Sequence, residues 1–423
     1  MMLLFFLLIA LGIPIAFALG LTGVIAFILT GDPLELFVQR MFTGLDSFTL
    51  VAIPLFILAG ELMDGSGILI RLLNLARLFV GRIKGGLLYV TTLATMFFGG
   101  VNGSAVADAS AVGSMLIPTI DKEYKDPELA AAITASGAIV GPIIPPSLPM
   151  LIYAFSAANV SVAALFLAGI IPGILLALGM MIVTFFIARK RNFPSDKKKY
   201  TISEVLRILR GALVAAVLPI IMVVGIVAGI VTPTEAGCVG VIYALAVGFL
   251  ITKELTLKKL HDALGRTVMV STIVMILISV GNSITWWITI QGVPNAISTL
   301  LQNTTQNAVV FLMLMFIIYL IVGFFIEQSA AIIMFVPVFA PLAMSYGIDP
   351  VHFGLFTCLV LALGLITPPV GICVFITSSI AKIPIERGFK ASVPYMLSVT
   401  AVIILVTIFP QIYMWLPNLL LSI

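Results

Sequence analysis

The sequence predicts an all-α polytopic membrane protein of about nine spans plus two re-entrant hairpins, set in inverted repeats with broken helices. Three observations carry this: apolar composition, one-sided distribution of basic residues, and a proline-broken segment that occurs twice. The 423 residues are 61% hydrophobic and 9% charged, with a mean hydropathy of +1.24. A soluble domain carries roughly 25% charged residues. Apolar runs of ~20 residues, enough to cross ~30 Å of hydrocarbon, recur along the chain and leave no room for a soluble domain.

The apolar segments fall at 2–29, 49–63, 87–120, 128–157, 161–188, 211–231, 236–251, 267–290, 307–346, 351–381 and 391–409. The first has no basic flank before it and is too long for a signal peptide, so it reads as one retained span. Segments 87–120 and 307–346 are too long for a single crossing and carry polar centres, "FFGGVNGSAVADAS" (97–110) and "VGFFIEQSAA" (322–331). Each reads as a hairpin that enters halfway and returns. Non-helical backbone at that depth requires surrounding protein or a water-filled cavity. Residues 1–63 and 211–251 read as scaffold elements, and 87–157 and 307–381 each as hairpin plus broken helix, within a single integral unit.

With both hairpins non-crossing and the N-terminus in the cytoplasm, every Lys and Arg except Arg40 lies in a cytoplasmic loop. Lys and Arg bias is the strongest orientation signal in a membrane sequence, and it places the C-terminus outside. The run "RKRNFPSDKKK" (189–199) is then an ordinary cytoplasmic loop and not a nucleic-acid site. Cys238, Cys358 and Cys373 are scattered through apolar segments and His261 and His352 stand alone, which suggests neither a disulfide framework nor a transition-metal site.

At an offset of 223 residues Pro118 meets Pro341, Asp126-Pro127 meets Asp349-Pro350, Gly141 meets Gly364, and Pro145-Pro146 meets Pro368-Pro369. With a two-residue slip, Ser104-Ala105 meets Ser329-Ala330. The first hairpin enters from the cytoplasm and the second from outside, so the repeats are inverted, as in many secondary transporters. In "GPIIPPSLP" (141–149) and "GLITPPVG" (364–371) the prolines free the carbonyls of Gly141, Pro142, Gly364 and Leu365. Carbonyls beside the hydroxyls of Ser147 and Thr367 suit an alkali cation, and neither motif holds the carboxylate a divalent ion favours. The hairpin tips supply amides, hydroxyls and helix N-termini that favour an anion. Among the intramembrane acids, Asp108 either caps the second arm of its hairpin or serves the site, and Glu327 either binds a cation or faces a water-filled cavity. Glu61 and Asp64 end a span, Trp286 and Trp287 read as interface anchors, and Thr234 or Glu235 is expected to cap the helix after 231.

The combination "IPLFILAGELM" (53–63), "GGVNGSAVADASAVGSMLIP" (99–118), "GPIIPPS" (141–147), "TPTEAG" (232–237) and "GLITPPVG" (364–371) resembles the large membrane subunit of tripartite ATP-independent periplasmic (TRAP) transporters, over essentially the whole chain. The resemblance implies a sodium-driven importer of organic acids such as C4-dicarboxylates, sialic acid or other sugar acids, in the bacterial inner membrane. It implies an elevator mechanism, a small four-helix membrane subunit and a periplasmic substrate-binding protein as partners, and no organic cofactor. Because the chain starts directly with the large subunit, the small one is expected as a separate chain. Carried onto this sequence, one sodium site uses Gly323, Gly364, Thr367 and Val370, and its pseudo-symmetric counterpart uses Asn102, Ser104, Gly141 and Ser147. Ile144 stands where the other repeat has Thr367. Substrate is expected between the tips, near Asn102, Ser104, Gln328 and Ser329. Two other readings are a carboxylate transporter of the same plan that needs no binding protein, and an intramembrane enzyme. The enzyme would need a nucleophile–base pair or metal ligands at depth.

Overall fold

The structure is a computed structural model that describes residues 2–421 apart from 158–159, 196–199, 294–295 and 297–305. Lys197, Lys198 and Lys199 of the basic loop therefore lie outside the described residues. The described residues form helices α1 (Met2–Ala10), α2 (Ile15–Thr30), α3 (Leu34–Leu45), α4 (Ala52–Gly65), α5 (Ile68–Val80), α6 (Gly86–Asn102), α7 (Ala105–Tyr124), α8 (Pro127–Ala138), α9 (Leu148–Ser156) and α10 (Val162–Lys190). There follow α11 (Ile202–Val227), α12 (Pro233–Ala246), α13 (Leu257–Ile290), α14 (Ala308–Phe325), α15 (Gln328–Ser345), α16 (Pro350–Gly364), α17 (Ile372–Ala381), α18 (Ile385–Ile408) and α19 (Gln411–Leu421). Eight of the described helical segments are long and apolar enough to cross a membrane, both arms of the second hairpin among them.

The first segment is not the single helix expected. It breaks between α1 and α2, where Gly12 takes φ +84° and Pro14 supplies no backbone donor. Two amphipathic helices, α3 and α5, occupy stretches the hydropathy reading passed over. Helices α11 and α13 begin nine and ten residues before their apolar segments, at residues 202 and 257 instead of 211 and 267. The cause is capping. Thr201 and Glu204 form a reciprocal capping box, and Thr256 accepts the Lys259 amide; each removes unpaired donors and nucleates the helix in the loop.

All four ion pairs among the described residues, Glu61–Arg266, Arg71–Glu254, Asp126–Arg191 and Glu128–Arg387, join stretches that the charge partition puts on one side. Contacts at the opposite ends agree: Trp287 donates to Thr30 at 3.1 Å and the Tyr153 hydroxyl to the Pro350 carbonyl at 3.0 Å. The charge partition puts all of those ends on the other side. The two Trp side chains pack on the α2 end, Trp286 stacking on Phe27 under the Arg40 guanidinium.

The repeat is sharper in the helices than in the residues. Helix starts at Ala105 and Gln328, Pro127 and Pro350, and Val162 and Ile385 are each 223 apart, and α6 and α14 end 223 apart at Asn102 and Phe325. The two-residue slip used to align the tips is therefore wrong: Ser104 corresponds to Glu327, and each is the N-cap of its hairpin's second arm. An alignment by residue type misses this because hydroxyl and carboxylate oxygens do the same capping job. The two halves also exchange segments. α17, beyond the second break, packs on α7 and α8, while α9, beyond the first break, packs on α15.

Candidate functional site

At the first hairpin, α6 ends at Asn102, Gly103 turns the chain with φ +65°, and Ser104 caps α7 by accepting from Ala107 N at 3.4 Å. A Cβ on Gly103 would sit 2.9 Å from Leu148 N and 3.1 Å from the Pro146 carbonyl. The tip is thus seated directly on the first break. Asn102 ties the turn to α7 with both ends of its amide: Oδ1 accepts from Ser104 N and Nδ2 donates to Asp108 Oδ1, each at 2.8 Å. Asp108 is not the cap. It is fully buried, and its second oxygen, Oδ2, has no hydrogen-bond partner among the described residues. A side chain on Gly99 or Gly141 would run into that oxygen.

The break itself is partly self-satisfied. The Ser147 hydroxyl donates to the freed Pro142 carbonyl at 2.5 Å and accepts from Met150 N at 3.2 Å, capping α9. One freed carbonyl is therefore re-paired within the loop, and Gly141 is left packed against the unpaired carboxylate oxygen. Pro145, Pro146 and Ser147 are all buried, and Ile144 is half-buried.

The second break has the same backbone plan with different chemistry. Gly323 and Gly364 touch through their main chains, since a Cβ on Gly364 would lie 2.6–2.7 Å from Gly323 backbone atoms. The Thr367 amide donates to Gly364 O at 3.2 Å, its hydroxyl to Leu363 O at 2.8 Å, and Cys373 N to Leu365 O at 3.0 Å. Val370 is 41% exposed, so this break is open where the first is enclosed. The position 223 residues after Asp108 is Ala331, which leaves this half without the buried acid. Glu327 serves as the cap, accepting from Ser329 N at 2.8 Å, Ala330 N at 3.2 Å and the Ser329 hydroxyl at 3.1 Å.

Asp108 is thus not the cap and faces the break, while Glu327, expected to bind a cation or face a water-filled cavity, instead caps its arm. The structure gathers Asn102, Ser104, Gly141, Ser147 and Asp108 around the first break, and Gly323, Gly364, Thr367 and Val370 around the second. It does not join Asn102 and Ser104 to Gln328 and Ser329 in one contact. Gln328 is buried with its amide donating to Cys358 O at 2.8 Å, and Ser329 is held by Glu327. Gly99 was missed among the site residues; its signal was the run "GGVNG", where two glycines precede the tip. In "TPTEAG" the cap is Thr232, in a capping box with Glu235, and not Thr234.

Residues 2–412 match the family described as "Tripartite ATP-independent periplasmic transporter, DctM component". The chain is 35% identical over 413 residues to the sialic acid TRAP transporter large permease protein SiaM of Vibrio cholerae, covering 97% of this chain and 96% of that one. It is 34% identical to the C4-dicarboxylate TRAP transporter large permease protein DctM of Pseudomonas aeruginosa, covering 95% and 94%. Among solved structures it resembles the YdaH transporter of Alcanivorax borkumensis with a TM-score of 0.61, at 15% identity over 90% of this chain and 88% of that one. That likeness speaks for the fold.

Proposed function

Because the chain belongs to the DctM family of tripartite ATP-independent periplasmic transporters, we propose that it carries out sodium-coupled uptake of an organic acid anion. It is a multi-pass membrane permease component and not an enzyme. The finer reading has the N-terminus in the cytoplasm, a small four-helix subunit and a periplasmic binding protein as partners, and a C4-dicarboxylate, sialic acid or another sugar acid as substrate.

The observation that carries the sodium reading is the Asp108 oxygen. A carboxylate oxygen buried at membrane depth with no donor is costly, and such groups mark ion or proton paths. Beside it stand Gly141 and Asn102, whose amide already fixes the other oxygen. A cation bound there satisfies the carboxylate, and it ties the hairpin tip to the broken helix. The second break offers a carbonyl and hydroxyl shell around Gly364 and Thr367 without a formal charge. Occupying both breaks fixes the two tips, whose helix N-termini then favour the substrate carboxylate. An elevator movement is supported by the close, side-chain-free approach of the tip to its neighbour. Gly60 of α4 sits against the Asn102 backbone, where a Cβ would lie 3.1 Å from Asn102 Cα, so only a small residue lets the two slide.

Proteoliposomes containing the chain and its small subunit test this with labelled sialic acid and succinate as probes. Uptake should require an inward sodium gradient and the periplasmic binding protein. Uptake that is indifferent to replacing Na+ by K+ removes the sodium reading, a demand for a pH gradient instead makes Asp108 a proton carrier, and uptake without the binding protein favours the related transporter that needs none.

A further inference from the structure

The two hairpins are alike in backbone and unlike in what covers them. Along α15, Ile333 and Val338 are buried, and the helix packs on α13, where Gly281 faces Ile333. Their counterparts 223 residues earlier on α7 are Ser110 and Met115, and both are exposed, as is Ser114 between them. α7 packs on α6, α8 and α17 and makes no comparable contact with α4 or α13 among the described residues. The tips show the reverse. Asn102 is seated on Gly60 of α4, whereas its counterpart Phe325 is exposed. Each hairpin thus has one seat filled and one bare, and the bare ones are the repeat counterparts of the filled ones.

Glycine contacts locate the scaffold residues that fit the bare face of α7. A Cβ on Gly20 or Gly23 of α2 would meet Val280 or Ile284 of α13. One on Gly237 of α12 would meet Leu55 and Phe56 of α4, and one on Gly240 would approach Ala59. The two glycine pairs have the same spacing, so Leu55 and Ala59 correspond to Val280 and Ile284. On that register Phe56 of α4 stands where α13 has Gly281, and Gly60 where α13 has Thr285. Phe56 and Gly60 are one turn apart on one face of α4, the face that receives the first tip. Side-chain size fits as well. On α13 a glycine receives the bulky Ile333, and on α4 the bulky Phe56 would receive the small Ser110. One large and one small residue meet in each pair, as close packing requires.

We propose that the bare face of α7 is a docking surface for α4, with Ser110 seating against Phe56 in a second arrangement that replaces the Gly60–Asn102 seat. This rests on the proposed elevator movement and names the surface that the movement closes. Two cysteine pairs test it, in the full chain with its small subunit in proteoliposomes and with the exposed Cys238 replaced by Ser. Gly281→Cys with Ile333→Cys reports the seat seen here, where a Cβ lies 2.9 Å from the Ile333 side chain. Phe56→Cys with Ser110→Cys reports the second. Under copper phenanthroline both pairs should cross-link, each link should stop uptake of labelled sialic acid or succinate, and reduction should restore it. Uptake that persists with the first pair linked removes the elevator movement itself. A second pair that never links, or links without loss of uptake, overturns the docking surface, and the movement stands if the first link still stops uptake. Phe56 is buried, so Ser110→Trp, at a position exposed here, carries the test if Phe56→Cys does not fold. It should slow uptake at least about tenfold with thermal stability unchanged. Normal uptake, or slowing only through lost stability, overturns the proposal.

Discussion

Asp108, Asn102 and Thr367 make separable contributions at the residue scale. Asp108→Asn keeps the shape and the Asn102 contact and removes the charge, so half-saturation of uptake by Na+ should rise at least about tenfold, equivalent to about 1.4 kcal/mol. Asn102→Ala leaves the acid in place and removes the amide that orients it and the tip. Its effect should be intermediate, a few-fold on sodium and a larger loss in uptake rate. Thr367→Ala removes one hydroxyl from the open, uncharged break and should raise half-saturation by Na+ less than Asp108→Asn does. A sodium titration of uptake across the three variants checks the ranking, and Thr367→Ala as damaging as Asp108→Asn would contradict it. Glu327 belongs to another class. As an N-cap, Glu327→Ala should lower thermal stability by about 1 kcal/mol, with Glu327→Gln costing less.

At the scale of elements, the contacts between each hairpin and its broken helix are made through glycine. Gly364→Ala would place a methyl group 2.6–2.7 Å from the Gly323 backbone, which cannot swing aside. The expected cost is about 1–3 kcal/mol in thermal unfolding, whereas Gly265→Ala, in open space on α13, should cost nothing. Much of this architecture was legible beforehand, because a proline in lipid leaves a conspicuous mark and the charge partition fixes which loops share a side. The four ion pairs and the 223-residue register of helix starts agree with both. Other features were not legible for physical reasons. The α1–α2 break was marked by Gly12 and Pro14 but is masked when hydropathy is averaged over a segment that is apolar on both sides. α3 and α5 are amphipathic and short, so hydropathy averages past them. The acids could not be sorted because Asp108 lies four residues after Ser104, close enough to suggest a cap, while Glu327 carries no sign in sequence that its side chain folds back onto Ser329 N.

The account at the scale of the whole molecule is an asymmetry between two halves built alike. The first break is enclosed and charged, the second open and neutral, and each half lends the other the helix beyond its break. Seating differs as well. Gly60 of α4 meets Asn102 at the tip, whereas Gly281 of α13 meets Ile333, where a Cβ would come within 2.9 Å of its side chain. Ile333 lies five residues into its arm, about 8 Å along a helix. On the proposed elevator movement, exchanging the two seatings would be a slide of that size. Gly60→Val should therefore slow uptake at least about tenfold, and because it presses on Asn102 it should shift sodium dependence no more than Asn102→Ala does. The central claim, that the buried Asp108 oxygen belongs to a sodium site, needs no substrate or partner to test. Thermal unfolding of the purified chain should be followed in rising NaCl, with KCl holding ionic strength constant. Binding at 100-fold over the dissociation constant adds about 2.7 kcal/mol, so the transition should climb with sodium in the wild type and climb markedly less in Asp108→Asn, which keeps only the second break. A wild-type transition that ignores sodium, or an Asp108→Asn variant that follows it as the wild type does, would contradict the account.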